Sequence, residues 1–413
     1  MSKIDHIILY LLLFIVYFIF SKLYSQENNS KKFWMITVIP IALYSFVVGS
    51  RSGWGPDYIS YKYRLEHAFT YFEEQIGFRW LNQGISIVGL NFVGGYIVYS
   101  LIFSICAFIL IRSYGKPSKY MYILFIPATL FITSATIRQG VAYSFVLLAI
   151  YFLNNKQWIW VFIATLIANS IHTASLISIL IIGIFYILPK KPISWKITIP
   201  LYLFFTFIFD VKKVGFLANY MQYIYLNNKF QSYIENADYW FGTESAEDKY
   251  AQELIPLIMS SLFYINLIYF GYWAIKIRQN KNVVYLYNSL VFGIVLYRVV
   301  FLFEILRRLA EPLVDFYFII LGYIIFVFSN TKNKYNNKSI NQSIYSNNTS
   351  FYVLKKNIIA NQYSIMNKKT NQKTKNKIEY YYIIGLGLIL LYLVLFWGRF
   401  VFFNPKALFF WNK

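Results

Sequence analysis

The sequence predicts an all-α, polytopic integral membrane protein with about 12 transmembrane helices. Hydrophobic residues make up 58% of the 413-residue chain and charged residues only 14%, whereas a soluble domain carries about 25% charged residues. Uncharged runs near the roughly 20 residues that a span needs recur along the chain. Because these runs are continuous and do not alternate with polar residues, they favour helices over a barrel. We expect a single transmembrane domain over 1–413.

The apolar runs define the expected helices in chain order. They lie at 4–24, 33–50, 92–113, 119–134, 137–153, 157–170, 173–188, 195–211, 254–277, 282–302, 309–329 and 380–400. Two of them, 157–170 and 173–188, are short for a span, so we expect tilted, broken or sheltered helices there. The first run is too long for the apolar part of a signal peptide and has no small-residue cleavage site, so we expect it to be retained.

The loops between these runs alternate between two kinds of charge. One set is almost purely basic, and it comprises Lys22, Lys31, Lys32, Arg112, Lys116, Lys119, Lys156, Lys190, Lys191, Lys196, Lys276, Arg278, Lys281 and the tract 331–378. The other set carries mixed charge. The positive-inside rule places the basic set in the cytoplasm. Mixed-charge loops, including an outer loop at about 211–253, and both termini then lie outside the plasma membrane.

Two segments do not fit the pattern of plain spans. An extra span within 75–91 would break the charge alternation, so we expect about 51–91 to be an outer interfacial or re-entrant segment. The tract 331–378 holds ten lysines and no acidic residue, and such a composition predicts a flexible cytoplasmic loop. It would touch anionic lipid head groups, with partner binding as the alternative.

Several function classes are disfavoured by composition. The net charge of +22 could indicate nucleic-acid binding, but its confinement to alternate loops indicates membrane topology, so we expect no nucleic-acid partner. The single cysteine, Cys106, excludes an internal disulfide and a cysteine-based metal site. The chain has no phosphate-binding glycine loop and no histidine–cysteine cluster with metal spacing, so we expect no cofactor and no metal.

A glycine-rich turn at 49–61 follows the apolar run that ends near 50. It combines Arg51 and Asp57 with the aromatic residues Trp54, Tyr58 and Tyr61. Glycine lets the backbone come close to a ligand, and an arginine fork suits a phosphate or carboxylate. We expect a site here, although Arg51 and Asp57 could instead pair with each other and hold the turn in shape.

Arg138 and Gln139 begin an apolar run at the expected outer face. A helix N-terminus attracts anions through its free N–H groups, so these side chains would complete a phosphate cradle. The alternative is an arginine that only marks the membrane interface. His172 lies in a polar patch between two apolar runs, where it could act as a base or cap a helix junction.

Two further groups of charged residues lie at the same expected face. Arg307 and Arg308 are bracketed by Glu304 and Glu311, so they could pair within a helix or point one guanidinium at a diphosphate. Glu74, next to Glu73 in the outer segment, could act as a base or orient a sugar. A solvated loop face is the alternative for Glu74.

Taken together, four segments resemble the EpsG-like branch of the Wzy-type polysaccharide polymerases. They are Arg51-Ser-Gly-Trp-Gly-Pro-Asp57-Tyr58 with Tyr61, Glu74-Gln-Ile-Gly77-Phe78, Ile137-Arg138-Gln139-Gly140 and His172-Thr-Ala-Ser175, covering roughly 45–190. Beyond 200 the resemblance depends on Arg307 and Arg308. Pro56 departs from the family pattern, where a small residue is usual, and so does the segment 404–406.

The resemblance implies a GT-C-like membrane glycosyltransferase that needs no metal. Such a protein would join polyisoprenyl-diphosphate-linked oligosaccharide repeat units at the outer face of the plasma membrane. Its expected partners are membrane lipid and two proteins of the same pathway, a chain-length regulator and a flippase. The alternatives are a glycan ligase using the same lipid donor, a lipid-linked oligosaccharide flippase, and a membrane acyltransferase.

The resemblance also implies roles for the candidate residues. Arg138, Arg51 and Arg307 or Arg308 would stabilise the leaving diphosphate, because preorganised cations do so best in a water-poor site. His172, or Asp57 in its place, would accept the proton of the acceptor hydroxyl. The remaining expected substrate contacts are Gln139, Glu74 and the sugar-stacking rings of Tyr58 and Tyr61.

Overall fold

The computed structural model describes residues 3–24, 29–49, 58–73, 75–188, 191–209, 254–301, 304–344 and 387. These residues form helices and connecting turns, with no strand among them. The helices are α1 (Lys3–Tyr24), α2 (Ser30–Gly49), α3 (Tyr58–Glu66), α4 (Ile76–Ile87), α5 (Phe92–Ser113), α6 (Ser118–Ala135), α7 (Ile137–Asn154), α8 (Trp158–Ile171), α9 (Ala174–Ile187), α10 (Trp195–Leu203), α11 (Leu254–Ile277), α12 (Lys281–Val299), α13 (Glu304–Val314) and α14 (Tyr317–Ile344). A π-helical turn, Phe204–Ile208, extends α10.

Six stretches of the described chain are long and apolar enough to cross a membrane. They are Ser30–Gly49, Phe92–Ser113, Ile137–Asn154, Leu257–Ile277, Lys281–Val299 and Leu306–Asn330. Shorter apolar helices lie at Leu11–Leu23, Trp158–Ile171, Ala174–Ile187 and Trp195–Ile208. The chain is therefore an all-helical, membrane-embedded protein. The count of about 12 spans and the GT-C-like architecture stay predictions.

The long helices pack side by side. The closest partners of α7 are α8 and α5, while α2 packs on α5, and α14 packs on α6 and α11. One large apolar core joins these helices, and it is rich in fully buried tyrosines such as Tyr17, Tyr44, Tyr122 and Tyr287. The described connections between the helices lie at two ends of the bundle.

The lysine-bearing connections after α1, α5, α7, α9 and α11 lie at one end of the bundle, which we call the basic end. Hydrogen bonds tie these connections together: Arg112 donates to Ser30 Oγ at 2.8 Å, Asn288 donates to the Lys191 carbonyl at 3.0 Å, and Tyr285 donates to Asn154 Oδ1 at 2.7 Å. The connections that the charge pattern grouped together thus lie on one side of the bundle.

The opposite end, the site end, is covered by α3 and α4. Helices of 9 and 12 residues reach about 14 and 18 Å, too short for a hydrocarbon core about 30 Å thick. They pack on α5 and α8 through a second apolar cluster that includes Tyr58, Leu65, Phe78 and Ile171. The expected interfacial or re-entrant position of 51–91 at the membrane stays a prediction.

Gly77 lets α4 lie against the end of α8. A Cβ atom at Gly77 would lie 2.1 Å from Ser170 Oγ and 3.0 Å from the Ser170 carbonyl carbon, distances that no packed methyl group tolerates. Glycine at this point therefore brings the start of α4 directly beside the α8–α9 junction, where His172 lies.

The second half of the chain differs from expectation in two details. The expected span 309–329 lies within the candidate span Leu306–Asn330, but a two-residue turn interrupts its helix, because α13 ends at Val314 and α14 begins at Tyr317. The basic tract also begins as helix, since α14 continues to Ile344, whereas we expected a flexible loop from 331. The rest of that tract, the loop 211–253 and the expected span 380–400, apart from Gly387, lie outside the described residues.

Candidate functional site

A buried glutamate at the site end binds two arginines from different parts of the chain. Arg64 Nη1 lies 2.7 Å from Glu73 Oε2, and Arg138 Nη1 lies 2.9 Å from Glu73 Oε1. The Glu73 side chain is 5% exposed and each arginine side chain 22% exposed. The group therefore joins two positive charges to one negative charge in a largely buried position.

Local structure explains how these three side chains meet. Arg64 lies in the last turn of α3, and Arg138 is the second residue of α7. Glu73 lies in the link that leads from α3 to α4. The rings of Tyr61 and Tyr71 flank the Arg64 guanidinium at 5.1 and 5.3 Å, which adds a cation–π attraction.

Both arginines retain donors that the structure leaves unused. Within the described part of the chain, the Nε atoms of Arg64 and Arg138 are buried and make no hydrogen bond. Buried donors without a partner are uncommon and costly. Together with the surplus positive charge and the N-terminus of α7, they make this group suited to binding an anion.

A second network links α7 to α13. Gln139 Nε2 donates to Glu311 Oε2 at 3.1 Å, and Arg307 Nε donates to Glu311 Oε1 at 3.0 Å. Gln139 is only 6% exposed. Gln139 and Arg307 therefore share one carboxylate, so the expected pairing of Arg307 with Glu311 is present together with a cross-link that the sequence did not predict.

His172 lies at the junction between α8 and α9. Its Nδ1 accepts the backbone N–H of Ala174 at 3.2 Å, which leaves the proton of the neutral ring on Nε2. Burial, with the positive charges of Arg138 and Arg308, lowers the pKa of His172 to about 3. His172 is therefore a neutral hydrogen-bond donor near neutral pH, and its low pKa makes it a weak proton acceptor, which is unfavourable to the role of base.

Asp315 lies at the break between α13 and α14, inside the apolar stretch Leu306–Asn330. It follows Glu311 by one turn and lies within electrostatic range of it. The sequence analysis passed over this residue. A second carboxylate inside the expected span 309–329, three residues after Pro312, was the signal that could have found it.

The structure brings five of the expected site residues to one region of the site end: Arg138, Gln139, His172, Arg307 and Arg308. Tyr58 and Tyr61 are each 8% exposed and pack against Phe92 and Phe78. Their burial favours a packing role over the sugar stacking that we expected. Arg51, Asp57, Glu74 and Trp54 lie outside the described residues, and their roles stay predictions.

An apolar groove runs between α7, α8 and α9 in the half of the bundle near the basic end. It encloses about 400 Å³ and is lined by residues such as Val146, Phe162, Ile179 and Gly183. The helices that form it begin or end at Arg138 and His172. Among the described residues no cluster of three or more metal-ligating side chains occurs.

Comparison with known proteins gives one match. The model of the EpsG family matches residues 34–343, which covers α2 to α14 almost completely. No curated protein and no solved structure matches the chain. The matched range includes the Arg64–Glu73–Arg138 group, His172 and Asp315. Because a family model extends over most of this membrane-embedded helical chain, the protein belongs to the EpsG family.

Proposed function

We propose that this protein is a polysaccharide polymerase of the outer face of the plasma membrane. It would transfer a glycan from its polyisoprenyl diphosphate to the sugar of another lipid-linked repeat unit, without a metal. EpsG-family membership suggests an exopolysaccharide-related membrane protein. The observation that carries the finer assignment is the surplus of guanidinium charge around Glu73 beside His172.

The main chemical task of such a site is to stabilise the leaving diphosphate. When the anomeric carbon leaves the diphosphate, negative charge grows on the phosphate oxygen, and donors fixed in advance stabilise it most in a water-poor site. Arg64 and Arg138 offer unused Nε donors there. Glu73 holds both guanidiniums in place while leaving one net positive charge for the diphosphate.

His172 takes a different role from the one expected at first. Its Nε2–H is a neutral donor, so it would bind a phosphate or sugar oxygen without adding charge. Arg308 lies within electrostatic range of the same ring. The two residues would therefore contact the same polar head group, and the base must be sought elsewhere.

The lipid part of the donor requires an apolar surface. The groove between α7, α8 and α9 has almost entirely apolar walls and belongs to the helices whose other ends carry Arg138 and His172. We assign the isoprenoid chain to this groove and the diphosphate to the site end. Binding would then place the sugar at the outer surface.

The deciding experiment uses purified protein and lipid-linked repeat units from source cells that lack this gene. A ladder of longer glycans that persists in EDTA would support a metal-independent polymerase. Transfer to an added acceptor of another kind, with no ladder, would instead indicate a ligase. Movement of the lipid across a vesicle membrane, with no new glycosidic bond, would indicate a flippase.

Arg138 offers the sharpest mutational check of this proposal. Arg138→Ala and Arg138→Lys should lower ladder formation by about 100-fold or more, because a lysine lacks the fork that reaches Glu73 and substrate together. Size-exclusion profiles should match the wild type. Unchanged activity in Arg138→Ala would remove this residue from the site.

A further inference from the structure

Asp315 occupies an unusual position in the bundle. It lies in the two-residue break between α13 and α14, one turn after Glu311, where the charged start of the stretch Leu306–Asn330 passes into its apolar part. Pro312 in the preceding turn has no N–H and disfavours a continuous helix. Charged side chains inside expected spans are costly and usually functional, and broken helices in membrane proteins are typical of binding sites.

Polar groups on three helices lie within electrostatic range of Asp315. They are Glu311 on α13, Tyr143 on α7 and Tyr297 on α12. In the described part of the chain no cation pairs with Asp315. Tyr143 is 1% exposed, and its hydroxyl makes no hydrogen bond to a described residue. The break thus combines a carboxyl group that no described cation binds with a buried hydroxyl that makes no described hydrogen bond.

The neighbouring carboxylates are already engaged. Glu73 accepts from two guanidiniums, and Glu311 accepts from Arg307 and Gln139. A carboxylate that binds a guanidinium is a weaker proton acceptor than one that does not. Of the described carboxylates Glu73, Glu311 and Asp315, only Asp315 has no bound cation that would lower its basicity.

We propose that Asp315 is the general base of the glycosyl transfer, an inference that rests on the proposed function. The acceptor O–H bond breaks and its proton passes to the Asp315 carboxylate. The acceptor oxygen forms a bond to the anomeric carbon of the donor. The bond from that carbon to the phosphate oxygen breaks, and its electron pair stays on the diphosphate that Arg64 and Arg138 stabilise. Water later takes the proton from Asp315.

The test compares Asp315→Asn, Asp315→Glu and Asp315→Ala in the ladder assay with lipid-linked repeat units from gene-deleted cells. Asp315→Asn, which keeps size and shape, should lose about 10²–10⁴-fold in kcat, as expected for loss of a general base. Donor binding, measured with radiolabelled repeat unit on immobilised protein, should stay within about twofold of wild type, because the donor is held elsewhere.

Chemical rescue separates a base from a structural residue. Formate should raise the rate of Asp315→Ala by about tenfold or more, because it replaces the missing carboxylate. Asp315→Glu should keep measurable activity. Glu66→Gln is the control, because Glu66 is an exposed carboxylate paired with Lys62 on α3, and it should behave like the wild type.

Other results would overturn the proposal. A wild-type rate in Asp315→Asn excludes Asp315 as the base. Loss of donor binding without formate rescue assigns it a structural role. Rescue of Asp57→Ala, and not of Asp315→Ala, moves the base to Asp57. If the wild type forms no ladder, the proposed function itself fails and the role of Asp315 fails with it.

Discussion

The most informative residue of the site end is Glu73, because one buried carboxylate orients two arginines. Removing one partner from such a group leaves a buried charge uncompensated, which is more costly than never having built the pair. The same geometry leaves a net positive charge for an anionic substrate. Each residue of the Arg64–Glu73–Arg138 group should therefore affect how the protein binds substrate.

Arg64 is the residue that sequence reasoning missed and that we expect to contribute about as much as Arg138. Arg64→Ala should lower kcat for ladder formation by about 10²–10³-fold, because a preorganised donor to the leaving group is lost. Lys62→Ala is the matched control, since Lys62 lies on the same helix, is 48% exposed and pairs only with exposed Glu66 among described residues. Equal effects of the two substitutions would contradict the prediction.

The low pKa of His172, about 3, has a consequence for acid stability. The unfolded chain binds a proton at His172 below about pH 6.5, while the folded protein does not bind it until near pH 3. Stability should therefore fall as pH drops below 6.5, with His172 contributing about 2 kcal/mol of the loss at pH 5. His172→Asn should show a smaller drop in Tm between pH 7.5 and pH 5.

The control for this effect is His67→Asn, since His67 lies in the exposed turn after α3. It should change Tm equally at both pH values. A wild-type acid sensitivity in His172→Asn would show that His172 does not titrate in the way its surroundings predict.

At the scale of elements, close helix contacts place the site. The beginning of α4 lies against the end of α8 because Gly77 has no side chain. Gly293 on α12 has a similar role, since a Cβ there would lie 2.5 Å from Leu313 Cβ on α13. The short helix α4 and the first part of the broken helix, α13, are thereby held against neighbouring helices at the site end.

Gly77→Ala should destabilise the protein by about 1–3 kcal/mol, because the added methyl group must move α4 away from α8. Gly84→Ala on the same helix is the matched control, since nothing lies within 4 Å of its Cβ position. That substitution should be neutral or stabilise by about 0.5–1 kcal/mol, because alanine favours helix over glycine. Thermal unfolding in detergent measures both, and equal Tm values would contradict the packing argument.

At the scale of the whole molecule, the bundle separates charge between its two ends. The basic end carries the lysine-bearing connections, while Glu73 and Glu311 at the site end bind arginines. The positive-inside rule then predicts that the site end faces outward. This orientation is what a polymerase acting on exported repeat units requires.

Cysteine labelling checks that orientation. In a Cys106→Ser background, cysteines replace Thr70 and Lys156, which lie in exposed turns at the site end and the basic end. We expect an impermeant maleimide to label position 70 in intact cells and position 156 only after permeabilisation, because charge bias sets topology. Labelling of both positions from one side would contradict the two-ended arrangement.

Hydropathy alone predicted much of the fold. The bounds expected for 92–113 and 254–277 agree with α5 and α11, because a helix in lipid must be continuous and apolar over its length. Averaging hydropathy over the long run 309–329 did not reveal Asp315 or the helix break beside it. Two carboxylates among about 20 mostly apolar residues change the mean hydropathy little, although they affect the local chemistry.

The sequence by itself determined the all-helical membrane class and the division of loop charge, and it predicted Arg138, Gln139 and His172 as candidate site residues. These inferences depend on composition and spacing along the chain and need no distant contact. Only the tertiary structure paired Glu73 with Arg64 and Arg138. It also lowered the pKa of His172 by burial. The reason is physical: hydrogen-bond partners and burial depend on which helices meet, and residues 64, 73 and 138 come into contact only after folding.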